Sequence, residues 1–176
     1  EVSIGPGASY AVHNANVNMI LGHMAQINLL NYQTVSPPSQ PPASTTLVFS
    51  FFDNADGSPL TLDDVDFSIL DLDTAEYAPG YDDEGVECVM VRDYHSLVLP
   101  SANSEVVVEE LPGGGTKVCG SEFGVGSDNP SDPFALTPLQ KRRAAFLNYR
   151  DTHSFELVFS LSKQRWPGGR NLLFSG

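Results

Sequence analysis

Apolar and polar residues alternate with a period of two in several stretches. The clearest is Phe155–Ser162, where Phe155, Leu157, Phe159 and Leu161 fall on one face. A period of two marks a strand with one face buried, because successive side chains point to opposite sides of the backbone. Ala25–Tyr32 follows the same rule, with Ala25, Ile27 and Leu29 alternating against Gln26 and Asn28; a helix over Val17–Met24 is the competing assignment nearby. Further strands are predicted at Val86–Val91, Ser96–Leu99, Glu105–Glu110, Thr116–Cys119, Ala144–Tyr149 and Asn171–Ser175. Two more runs, Leu47–Phe52 and Val65–Leu72, are rich in β-branched and aromatic residues and each ends in aspartates. The turn cluster Asp53–Pro59 lies between them, so they are expected to form a hairpin or near-hairpin with carboxylates gathered at the strand ends.

Between these runs the chain is punctuated by loop signals. Glu1–Gly7 is a Gly/Pro-containing lead-in, and Ser36–Ser44 holds four prolines, which cannot donate to a ladder and favour an extended surface loop. Thr74–Glu87 is an acidic loop, Gly120–Phe134 is irregular, and Arg165–Arg170 reads as a turn. The signals change at Thr137-Pro138-Leu139-Gln140: Thr as N-cap, Pro at the first helical position and Gln at N3 make a capping box. The helix started there should carry Lys141, Arg142 and Arg143. Strands at this spacing with one short helix near 138–143 predict an all-β chain, a single antiparallel β-sandwich of jelly-roll type with about eight to ten strands.

At 176 residues the chain suits one domain, residues 1–176, with 1–44 as lead-in and Pro-rich loop. The longest apolar run, Val17–Leu30, is interrupted by polar residues and falls short of the ~20 residues a spanning helix needs. The start at Glu1, without an initiator Met or apolar signal region, is what a processed or trimmed form would show. Charge changes the picture more. The net charge is −13, and residues 1–91 contain no Lys or Arg while holding 13 of the 22 acidic residues. Such a surface repels phosphate backbones and anionic lipid heads, which argues against nucleic acid and for cations or basic protein surfaces.

Those acids suggest a metal centre. Ca²⁺ takes six to eight hard oxygen ligands, often clustered Asp side chains with backbone carbonyls. Asp71 and Asp73 are two apart and share a face of a continuing strand, Asp53 would meet them across the hairpin, and Asp82, Asp83 and Glu84 arrive from the next loop. Four or more such carboxylates repel unless a cation or protons intervene. The competing reading is of acidic loops that are simply solvated. The Asp128–Pro133 segment either completes the same site or only forms turns that position the helix, the second being favoured. Signatures of hydrolytic catalysis are missing: there is no GxSxG, HExxH or Cys-His pattern, and His13, His23, His95 and His153 are scattered. No enzyme activity is expected. Trp166, the only Trp, stands near Arg170 and is a candidate for stacking on a sugar or docking a partner, against the commoner role of closing the end of a core.

The run FSILDLD, followed by an acidic loop and a Val-rich strand, is similar to the aspartate-rich β-sandwich domains of many secreted, surface-anchored proteins. The segment GSDNPSDPFALTPLQ, followed by FLNY, SFELVFSL and GRNLLFSG, resembles a recurring domain in proteins of marine algae and other protists. Together the two matches cover about residues 45–176. The resemblance implies a sandwich fold and a processed, non-cytosolic protein, and it transfers no catalytic residue.

The expectation for function is a non-catalytic, calcium-stabilised module that attaches to glycan or a protein partner. The alternative is an accessory extrinsic subunit, for instance on the lumenal side of an organelle membrane complex, since an acidic half and a neutral half suit docking by one face. Cys88 and Cys119 lie in segments that both read as strands and are open to two fates, free core thiols or a disulfide. The disulfide is predicted, and with it an oxidising compartment, either the cell exterior and surface or an organelle lumen.

Overall fold

The period-two stretches become strands because each buries one row of side chains, and the two rows so formed close on one another. A computed structural model describes residues 1–31, 43–75, 85–162 and 168–176. In chain order the strands are β1 Val2–Ile4, β2 Met19–Leu21, β3 Met24–Asn31, β4 Ala43–Ser50, β5 Leu62–Leu70, β6 Glu87–Val91 and β7 Ser96–Val98. They continue with β8 Val106–Glu110, β9 Thr116–Gly120, β10 Ala145–Thr152, β11 Ser154–Leu161 and β12 Gly168–Ser175; the helix α1 is Pro138–Arg142. These strands form two six-stranded sheets, β1-β4-β11-β6-β9-β8 and β2-β3-β12-β5-β10-β7. All their pairings are antiparallel.

Phe155, Leu157, Phe159 and Leu161 of β11 are buried together, as are Ala145, Leu147 and Tyr149 of β10 from the opposite sheet. Phe49 sits where the layers meet, with ring centroids 4.9 Å from Phe67, 4.9 Å from Phe155 and 5.1 Å from Phe174. Edge-to-face and stacked contacts at this range add to the burial of large rings, the main source of stability here.

From β3 to β8, and again from β10 to β12, each connection carries the chain from one sheet to the other. This jelly-roll pattern corrects the expected hairpin. β4 and β5 do not pair; they lie in different sheets and face each other through Phe49 and Phe67. Residues 51–61 form the corner between them, longer than the two to five residues typical of a hairpin loop.

Other boundaries differ as well. The lead-in contains β1 (Val2–Ile4), which pairs with β4. A short 3-10 turn (Ala15–Val17) and β2 replace the competing helix at Val17–Met24. β3 matches the strand expected at Ala25–Tyr32; with β1 and β2 added, twelve strands are formed by the described residues, against eight to ten expected. Gly168–Arg170, expected in a turn, opens β12. Of the Pro-rich loop, Ala43 and Ser44 belong to β4, and its other residues, like Trp166, lie outside the described residues.

The capping box is formed as the sequence predicts. Gln140 N–H donates to Thr137 Oγ1 at 3.3 Å, and Thr137 N–H donates to Gln140 Oε1 at 2.9 Å. Replacing a Thr cap by Ala costs about 1 kcal/mol, or roughly 2–4 °C for a chain of this size. Thr137→Ala should show that drop in a thermal melt; an unchanged melting temperature would mean that α1 is held by its side-chain anchors alone.

The cysteines also fall as expected. Cys88 of β6 and Cys119 of β9 are directly paired across the sheet with Cα atoms 4.1 Å apart, and their sulfurs stand at bonding distance, 2.07 Å.

Candidate functional site

β5 ends at Leu70, and the next residue, Asp71, takes a left-handed backbone conformation with φ +62°. Asp tolerates this region better than most side chains, and such backbone is held only where its surroundings fix it. The turn sends Leu72 back into the core while Asp71 and Asp73 face one pocket of about 110 Å³, shared with Glu87, Asn129, Arg170 and Asn171. Backbone hydrogen bonds pin the segment. Leu72 N–H donates to Arg143 O at 2.9 Å, and Glu87 N–H donates to Asp73 O at 3.1 Å.

Two glycines make room for Asp73. A Cβ at Gly120 would lie 2.5 Å from the Asp73 Cα and N, and one at Gly124 would lie 1.5 Å from the Asp73 carboxylate. Gly124 is therefore part of the cradle around that carboxylate rather than a flexible hinge.

Three arginines reach into this acidic group. Arg170 donates Nε–H to Glu87 Oε1 at 2.7 Å and pairs through Nη2 with Asp73 Oδ1. Arg143, buried just beyond α1, donates Nε–H to Glu105 Oε2 at 2.8 Å, Nη1–H to Asp128 Oδ2 at 2.7 Å and Nη2–H to Phe123 O at 2.8 Å. Its Nη1 is also 3.7 Å from Asp73 Oδ2. Arg142 pairs with Glu105 at 3.0 Å. The helix is anchored to the same place, because Gln140 Nε2–H donates to Asp128 O at 2.9 Å.

Asp71 differs from the rest. Its residue is 8% exposed and it lines the pocket, yet its carboxylate makes no hydrogen bond or ion pair with a described residue. Burial, then the charges of Asp73 and Asp128, push it up to about 7. Burial also raises Asp73 to about 6 against the opposing pull of Arg170 and Arg143, and burial holds Glu87 well above the carboxylate range although Arg170 opposes it. Five carboxylates (Asp71, Asp73, Glu87, Glu105 and Asp128) face three guanidinium groups (Arg142, Arg143 and Arg170). If all ionise, two negative charges remain, which one divalent cation or two protons would neutralise.

Oxygen atoms of Asp71, Asp73 and Asp128 all lie within 4.8 Å of one another. Two ligands on opposite sides of Ca²⁺ stand about 4.6–5.2 Å apart, while Mg²⁺ draws them to about 4.2 Å or less. No His or Cys joins the group, so its donors are all hard oxygens and match a hard cation rather than zinc or copper.

The structure brings together Asp71 and Asp73 but not Asp53. Asp53 is exposed at the β4–β5 corner, beyond the nine-residue length of β5 (about 30 Å), and its Oδ1 accepts the Ala55 N–H. Asp82, Asp83 and Glu84 lie outside the described residues. Arg170 is engaged with Asp73 and Glu87 instead of standing free to dock a partner. Asp128 does both things weighed for it: it accepts the Val125 N–H in a turn and joins the acidic group. The sequence expectation does not include Glu87, Glu105 or Arg143. For Arg143 a signal existed in the capped helix, which fixes where its basic triplet falls. Glu87 and Glu105 look in sequence like ordinary strand-edge acids.

Fold and site together define a class: a jelly-roll sandwich with a mostly buried acidic centre, bridged by arginines, at one end of β5. Compared with models of known protein families and with curated proteins, the chain matches none.

Proposed function

We propose that this protein is a non-catalytic binding module whose fold is stabilised by a calcium ion at Asp71, Asp73 and Asp128, and which attaches to glycan or to a protein partner. The observation that carries the cation is Asp71, a mostly buried residue whose carboxylate has no hydrogen-bond or ion-pair partner among the described residues, beside two further aspartates within calcium-ligand range. The disulfide fits an oxidising compartment, the cell exterior or an organelle lumen. No helix formed by the described residues is long and apolar enough to cross a membrane.

Calcium at a hundredfold excess over its dissociation constant stabilises by about 2.7 kcal/mol, which raises the melting temperature by roughly 5–10 °C. Calorimetric titration should show a matching heat, and Asp71→Asn should abolish both while leaving the calcium-free protein at least as stable at pH 8, because it removes a buried charge.

The pH dependence has a definite sign. Asp71 titrates near about 7 in the folded chain against 3.8 for a free carboxyl, so the folded state keeps a proton that the unfolded chain has lost. That contribution is complete below about pH 4 and gone once pH passes about 7. Calcium-free protein should therefore lose stability as pH rises across this range, and saturating calcium should flatten the slope. Absence of heat and of any thermal shift would end the calcium reading.

A second reading has its own observation. β1 and β2 edge the two sheets at the same side and expose Val2, Ile4, Met19 and Ile20 (82% for Ile20) around one apolar cleft. An accessory subunit of a larger assembly would cover such an edge. Co-migration with a complex in native purification supports this reading, and a free monomer opposes it.

A further inference from the structure

A second cleft, of about 490 Å³, opens beside the turn that joins β10 to β11, far along the sandwich from Asp71. Its lining includes the stacked pair Tyr149 and Phe155, with ring centroids 4.1 Å apart, together with Val48, Met90 and Val158. Tyr149 is 1% exposed, and its hydroxyl finds no hydrogen-bond partner among the described residues. An unpaired buried hydroxyl costs about 1–3 kcal/mol, so a group that supplies its partner is favoured there.

The rim is polar. Glu156 is exposed on β11, and continuing the β11–β6 register places it opposite Arg92, yet the two make no ion pair. Arg92 instead directs Nη1 to the carbonyls of Gly113 and Gly114, which fixes the guanidinium with Nη2 unspent. Asp93 holds a left-handed conformation, φ +56°, at the same mouth.

We infer that this cleft binds a neutral saccharide ring, whose apolar face meets Met90, Val48 and Val158 and whose hydroxyls meet Glu156, Arg92, Asp93 and the Tyr149 hydroxyl. Carboxylate and guanidinium groups each engage neighbouring hydroxyls with two parallel hydrogen bonds, so a rim holding both suits a polyol. A phosphate-bearing ligand meets Asp93 and Glu156, and a cation meets Arg92, which disfavours ions of either sign. The volume lies within the ~300–1,000 Å³ of small-molecule sites. The inference rests on the reading of the protein as a binding module, but not on the calcium centre.

The test is a glycan array probed with the labelled full chain, repeated with Tyr149→Phe and Glu156→Ala. The expected result is a glycan bound by the parent and bound about tenfold or more weakly by each variant, the loss of one hydrogen bond to a buried or charged group. Tyr149→Phe should melt at or above the parent temperature, since it deletes an unpaired buried hydroxyl, and so separates lost binding from lost folding. A glycan bound equally by both variants would place the sugar elsewhere and overturn the cleft while leaving the module. No glycan bound, with the calcium response intact, would overturn the cleft and direct the module to a protein partner.

Discussion

Arg143→Met should lower the stability of the protein by about 3–5 kcal/mol at pH 8, the usual cost of removing one partner from a buried charge group. Arg143 is 6% exposed and compensates Glu105, Asp128 and, more distantly, Asp73, while holding the Phe123 carbonyl. Without it these carboxylates face one another with Arg142 and Arg170 alone. Urea unfolding at several pH values gives the measurement. The deficit should shrink as pH falls toward 5, because Asp71 and Asp73 take up protons and part of the repulsion disappears. Calcium should also stabilise the variant more than the parent, since Arg143 no longer competes for Asp128. A pH-independent deficit would mean that only packing was lost, and one below 1 kcal/mol would mean that the arginine is not the hub of the centre.

The second large effect belongs to the disulfide. Replacing Cys88 and Cys119 together by Ala should cost about 3–4 kcal/mol, because the bridge joins residues 31 apart and closes that loop in the unfolded chain. Cys88 is buried, but neither cysteine belongs to the main cluster that fills the space between the sheets. The double variant therefore opens little core volume. A thermal melt should fall by roughly 10 °C, and the denaturant slope should rise as the unfolded chain expands. A loss under 1 kcal/mol would show that the unfolded state is compact enough not to feel the constraint.

How far the fold could be read from sequence depended on whether its signals were local. The alternation in Phe155–Ser162, the Thr137–Gln140 box and the Cys88–Cys119 strands were legible because each depends on residues near one another in the chain or on a simple pairing. Leu47–Phe52 and Val65–Leu72 read as strands from their composition, but their composition does not say how they connect. Aspartates and glycine between strands announce a turn without saying whether the next strand pairs with the last or crosses to the facing sheet; only the corner's length, residues 51–61, carried that information.

The hairpin expectation likewise places Asp53 in the candidate site. Asp71 and Asp73 were found because a spacing of two survives even though Asp71 turns the backbone. Glu87, Glu105 and Arg143 carry no such signal, because they come from three separate segments that meet only after both sheets have formed.

That connectivity also governs when the protein can fold. β11 lies between β4 and β6, and β12 lies between β3 and β5, so each sheet is completed by its last strand in chain order. During synthesis the earlier strands emerge with few neighbours to pair with, and their apolar rows must wait. Contacts so distant in sequence are reached slowly, because the entropy of closing long loops is spent before the contacts return anything. Folding should therefore be late and nearly all-or-none, with the ribosome and chaperones guarding exposed edges until β12 arrives.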